Sequence, residues 1–198
     1  MSTVDHRPAL FAAYGQAAEI VAGVNPEQLS ARTRCPEYEV SALIDHLVGA
    51  GHRAAALGRG ETPTSDAFPH IELADAPEHL RRGRTEAEAA WSDDERLSAT
   101  VTMPWGETYT GVTLVDMYLA ELTAHSWDLA SATGQVDRLD TGLATTALEG
   151  ARAMLKPEYR NLMGEGNPYG SEVAAPANGT EWERLAAFMG RNPCPTSG

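Results

Sequence analysis

Glu121 and His125 stand four residues apart in the run ELTAHSWDLASATG, a spacing that stacks a carboxylate and an imidazole one helical turn apart. On the same stretch Leu114, Val115, Tyr118, Leu119, Leu122 and Leu129 define one apolar arc. His125 falls within roughly 50° of the centre of that arc and Glu121 within roughly 90°, so both project toward the core. A buried carboxylate without a partner is costly, and a divalent cation satisfies Glu and His together. Taken alone, the spacing is more simply read as an i,i+4 contact that stabilises a helix, or as a core histidine bonded to a carbonyl. A third group changes the chemistry. His46, at the border of a second apolar face near Leu43 and Ala50, can reach across to a neighbouring helix. Together the three make a two-histidine, one-carboxylate set with an open coordination position, the pattern of a reactive zinc centre rather than a closed structural one. Nickel and iron are the other metals such donors take, with zinc preferred.

Further residues could serve this site. Asp128, one turn after His125, can hydrogen-bond a ligand imidazole, although an aspartate there is by default solvated or capping. Trp105, Tyr109 and Trp127 can line a pocket over a metal, or be plain core. Cys35 is a fourth-ligand or redox candidate whose place before a helix also suits a small buried residue. Arg53, Arg81 and Arg82 could bind a carboxylate-bearing thiol or substrate, their default being a solvated helix face. His52, His70 and His79 are expected to be exposed.

Helices must position these groups. Leu10, Phe11, Tyr14, Ala18 and Val21 recur at helical spacing, and Gly23 followed by Asn25-Pro26 gives a stop. A second helix is expected from near Glu39 to about Leu57, a third over roughly 76–92, a fourth over 112–132 closed by Gly134, and a fifth near 139–155. A short last helix is expected from Thr180 to Met189. Between Leu97 and Tyr109, alternating Val101, Met103 and Trp105 before a Pro-Trp-Gly turn indicate a small hairpin or an extended crossover. The segment 58–74 reads as a long loop. The fold class expected is all-α, a four-helix bundle with short extra helices, formed by residues 1–191 as one domain and followed by a flexible tail, 192–198.

The chain has 198 residues and a formal charge of -13, from 28 acidic against 15 basic side chains. Such a surface repels phosphate backbones and anionic head groups, which argues against nucleic acid and membrane partners. No stretch approaches a membrane span, and the start, MSTVDHRPAL, lacks the basic and apolar regions of a signal peptide. A cytoplasmic protein is expected, monomeric or homodimeric. The two cysteines, Cys35 and Cys194, are read as free thiols.

Four stretches, TRCPEYEVSALIDHLVGA (33–50), MPWGETYTG (103–111), ELTAHSWDLASATGQ (121–135) and YGSEVAAPANGTEWERLAAFMGRNP (169–193), resemble an actinobacterial family. That family is related to the N-terminal domain of mycothiol-dependent maleylpyruvate isomerase, among the DinB-like four-helix-bundle metalloenzymes. The resemblance assigns the family's metal ligands to His46, Glu121 and His125. One departure is Tyr38, where the family usually has tryptophan. The resemblance implies a metal-dependent enzyme of low-molecular-weight thiol chemistry, with mycothiol as a co-substrate. Its reaction would be thiol S-transfer or thiol-dependent isomerisation of a small electrophile. Two other functions stay open: metal and small-molecule binding without turnover, and a bundle recruited to a biosynthetic cyclisation in which the metal is incidental.

Overall fold

The computed structural model describes residues 4–62, 69–103, 106–155, 160 and 170–193. Four long helices build the frame: α1 (Arg7–Ala22), α2 (Val40–Gly58), α3 (Ala76–Ala90) and, after a short α4 (Glu95–Ser98) and a hairpin, α5 (Gly111–Thr133). Then come α6 (Thr141–Met154) and α7 (Glu181–Phe188). The hairpin pairs β1 (Thr100–Thr102) with β2 (Thr108–Thr110) antiparallel, Val101 opposite Tyr109. The chain is mostly helical with this one small sheet among the described residues, an all-α fold of the DinB-like kind.

The packing explains the arrangement. α1 lies against α3 and α5, and α2 against the same two, so the four close into a bundle with α1 and α2 at opposite corners. α6 and α7 then cover the side of α5 that the bundle leaves open. As a result α5 has no solvent face over Leu122–Ala130, where nine consecutive residues are buried. Thr110 caps its start by accepting from the Thr113 N–H, and Gly134 ends it at φ +73, a left-handed conformation that favours glycine.

The expected helices fall within a few residues of those observed. α4 is an addition that four residues of sequence cannot signal. Thr180, expected to open the last helix, is its N-cap and forms a capping box with Glu183. Pro193, at the end of the described residues, is buried. No described helix is long and apolar enough to cross a membrane.

Candidate metal centre

α2 and α5 cross so that His46 comes to face Glu121 and His125. His46 Nε2 lies 2.7 Å from Glu121 Oε1, and His125 Nε2 lies 3.5 Å from the same oxygen. The two imidazole rings meet edge to face with centroids 4.7 Å apart. His125 is 2% exposed, and His46 and Glu121 are mostly buried. One donor atom from each of the three falls within 4.8 Å of the others. A tetrahedral ion about 2.0–2.1 Å from its ligands separates them by roughly 3.3 Å, between the two distances observed here. The three donors are placed so that they could hold a metal ion.

Electrostatics follow from burial and pairing. Burial by itself would raise the Glu121 carboxyl, but the imidazoles of His125 and His46 outweigh it and hold the group well below the ordinary carboxylate range. Burial likewise pulls the His125 imidazole down, and the carboxylates of Glu121 and Asp128 overcome it, leaving His125 raised.

Asp128 is not the solvated residue expected by default. It is fully buried, because α6 and α7 close over its side of α5, and its Oδ2 accepts the Nδ1–H of His125 at 3.0 Å. That bond fixes the ring with Nε2 toward Glu121 and His46. Asp128 Oδ2 also accepts from Arg191 Nε at 3.2 Å. Tyr38 stacks on His46 at a centroid distance of 4.8 Å and presents its ring edge-on to His125 at 6.0 Å. A cavity of about 100 Å³ opens beside the set, lined by Cys35, Tyr38, His46, His125, Met189 and Arg191 among others. Cys35 is buried, and burial pushes its thiol up.

The other sequence candidates lie elsewhere. Trp127 is buried in the core, and Tyr109 is half-buried on β2 with its hydroxyl bonded to Glu107; neither is among the residues lining the cavity. Trp105 and Cys194 lie outside the described residues. Arg81 pairs with Glu78 and Arg82 with His79 on the surface of α3, and neither they nor Arg53 line the cavity. Of the three histidines expected to be exposed, His70 is, and His52 and His79 are partly covered by each other's rings at 5.9 Å. Sequence reasoning missed Arg191 and Tyr38 as parts of this site. It also missed the buried pair His6 and Asp116, whose Nδ1 and Oδ1 lie 2.7 Å apart across 110 residues of chain.

A family model described as the mycothiol maleylpyruvate isomerase N-terminal domain matches residues 10–130. The chain belongs to this family. The matched stretch contains His46, Glu121, His125 and Asp128, and stops short of Met189 and Arg191, which also line the cavity. Two uncharacterized proteins of Mycobacterium tuberculosis, Rv0738 of strain ATCC 25618 / H37Rv and MT0763 of strain CDC 1551 / Oshkosh, are each 33% identical to this chain. The identity runs over 178 residues, 88% of this chain and 91% of each relative. No solved structure gives a significant match.

Proposed function

We propose that this chain is a metal-dependent enzyme of low-molecular-weight thiol chemistry, a thiol S-transferase or a thiol-dependent isomerase acting on a small electrophile. Zinc is the preferred metal and mycothiol the candidate thiol. The supporting observation is the convergence of His46, Glu121 and His125 beside a cavity, in a member of the mycothiol maleylpyruvate isomerase N-terminal domain family. A divalent ion held by these three residues lowers the pKa of a coordinated thiol, so that it reacts as the thiolate.

The protein groups have distinct tasks. His46 Nε2 and His125 Nε2 provide neutral nitrogen donors, and Glu121 provides a charged oxygen. As placed, His46 donates its Nε2–H to Glu121 Oε1, a proton that His46 would have to give up to serve as a metal ligand. Asp128 keeps the His125 ring in the tautomer that leaves Nε2 free to ligate. Glu121, Asp128 and Arg191 carry one net negative charge between them, so with a divalent ion held there the site would be left with one positive charge for a single thiolate to neutralise.

In the isomerase form, the thiolate sulfur adds to the electron-poor carbon of an activated double bond and the displaced pair moves onto the activating carbonyl. Rotation about the new single bond follows, and expulsion of the thiolate restores the double bond in the other geometry without consuming the thiol. In the transferase form, a leaving group departs with its electron pair, or a proton completes the addition, and the thioether is the product.

The test is to incubate zinc-loaded protein with mycothiol or another small thiol and a panel of activated alkenes and alkyl electrophiles, following products by mass spectrometry and proton NMR. Turnover that needs both thiol and metal is expected. Saturable thiol binding without product would move the function to a sensor or carrier. Activity that survives chelation would make the metal incidental.

A further inference from the structure

The described residues hold a second group with metal-ligand chemistry. Cys35, His125 and Asp128 are all buried, and their donor atoms lie within 4.8 Å of one another. This group shares His125 with the first. A neutral imidazole has one lone pair, so His125 can serve one set or the other but not both.

Arg191 stands in the second set. Its side chain is 5% exposed; Nε donates to Asp128 Oδ2 at 3.2 Å, and Nη2 lies 3.5 Å from His125 Nδ1. Nη1 donates to the Met189 carbonyl at 2.9 Å, which ties the head group to its own stretch of backbone just past α7. A guanidinium does not deprotonate in a protein, so this is a permanent cation where a second metal ion would otherwise sit.

We infer that Arg191 is a positioning residue that selects between the two ligand sets: its guanidinium fills the cation position among Cys35, His125 and Asp128 and thereby reserves His125 Nε2 for the side of His46 and Glu121. This rests on the metal centre proposed above. Asp128 Oδ1, buried without a hydrogen-bond partner among the described residues, and the Cys35 thiol are the donors that a sulfur-seeking cation would capture if the guanidinium were removed. The selecting residue comes from outside the 10–130 segment that the family model matches, so the ligands and the group that chooses among them come from separate parts of the chain.

Cobalt(II) is the probe, added to the full-length chain as wild type, Arg191→Met, Arg191→Lys, and Arg191→Met combined with Cys35→Ser. Wild type is expected to bind cobalt without a thiolate-to-cobalt charge-transfer band in the near ultraviolet. Arg191→Met gains that band and loses it again when Cys35→Ser is added, whereas Arg191→Lys, which keeps a cation, retains the wild-type spectrum. In zinc-loaded wild type, long-range proton–nitrogen correlation places the proton of His125 on Nδ1. A thiolate band in wild type, its absence from folded Arg191→Met, its persistence after Cys35→Ser, or metal on His125 Nδ1 would each overturn the inference. Should Arg191→Met fail to fold, the wild-type spectrum and tautomer decide. Wild type that binds no cobalt at all would instead overturn the metal centre on which the inference depends.

Discussion

Replacing Asp128 by asparagine keeps the shape of the side chain and removes one charge, at a position where two donors converge on one oxygen. Asp128 is fully buried and accepts from His125 Nδ1 at 3.0 Å and from Arg191 Nε at 3.2 Å. An asparagine whose oxygen takes the place of Oδ2 can still accept from both donors, but as a neutral amide it makes each bond weaker, and its NH2 lies where Oδ1 has no partner among the described residues. It also leaves the buried Arg191 guanidinium uncompensated. Breaking a buried pair by removing one partner costs about 3–5 kcal/mol. For a chain of this size that lowers the melting temperature by roughly 6–20 °C. Metal affinity responds separately: neutralising the acceptor that orients a ligand imidazole weakens binding about 10–100-fold, or roughly 1.4–2.7 kcal/mol. Thermal melts followed by circular dichroism report the first effect, and zinc competition against a chromophoric chelator reports the second. A lowered melting temperature with zinc affinity changed by less than about threefold would show that Asp128 supports the fold without orienting His125.

Stability without added metal should depend on pH in a defined direction. Glu121, held below the ordinary glutamate value of 4.5, contributes stability that is present above that value and lost as pH falls through its lowered folded-state pKa. His125, raised above 6.5, contributes stability that is complete below that value and lost as pH rises through its raised folded-state pKa. Melting temperature should therefore peak between about pH 4.5 and 6.5 and fall on the alkaline side, while zinc affinity rises with pH because ligation needs neutral imidazoles; a flat melting profile from mildly acid to mildly alkaline buffer would contradict this. Gly51→Ala tests the packing of α2: a Cβ there would lie 2.7 Å from Tyr14 Cε1, whose ring is anchored by its hydroxyl on the Gly51 carbonyl at 2.5 Å. Overpacking of about 1–3 kcal/mol should lower the melting temperature by roughly 2–12 °C, and an unchanged melt would refute the close contact.

Much of this is legible in the sequence. The apolar arc from Leu114 to Leu129 located α5, and the same periodicity turned Glu121 and His125 inward, as they are found. The arc undersold the helix, however. A surface helix shows one apolar face, but α5 is enclosed by α1, α2, α6 and α7, so Thr123, Ser126 and Asp128 are buried where periodicity assigns solvent. The default reading of Asp128 as solvated fails for that reason, while its alternative, a bond to a ligand imidazole, is what is found: the burial of a polar residue depends on what packs over it, and α6 and α7 come later in the chain. Arg191 was invisible for a related reason. Its partner lies 63 residues away, and a basic residue just beyond a short helix is ordinarily solvated. The family resemblance, by contrast, converted a weak Glu-x-x-x-His pair and an isolated His46 into one proposed ligand set, which neither spacing could do alone.

The most direct measurement is the metal content of purified protein by elemental analysis, for wild type and for His46→Ala, Glu121→Ala and His125→Ala, each checked for helicity. The three groups come from two helices and share one centre, so removal of any one should break the site while the bundle persists. The expected result is about one ion per chain in wild type, falling towards zero in all three variants with helical content nearly unchanged. Wild-type protein that remains metal-free after zinc, nickel or iron is supplied, or variants that retain their metal, would contradict the account.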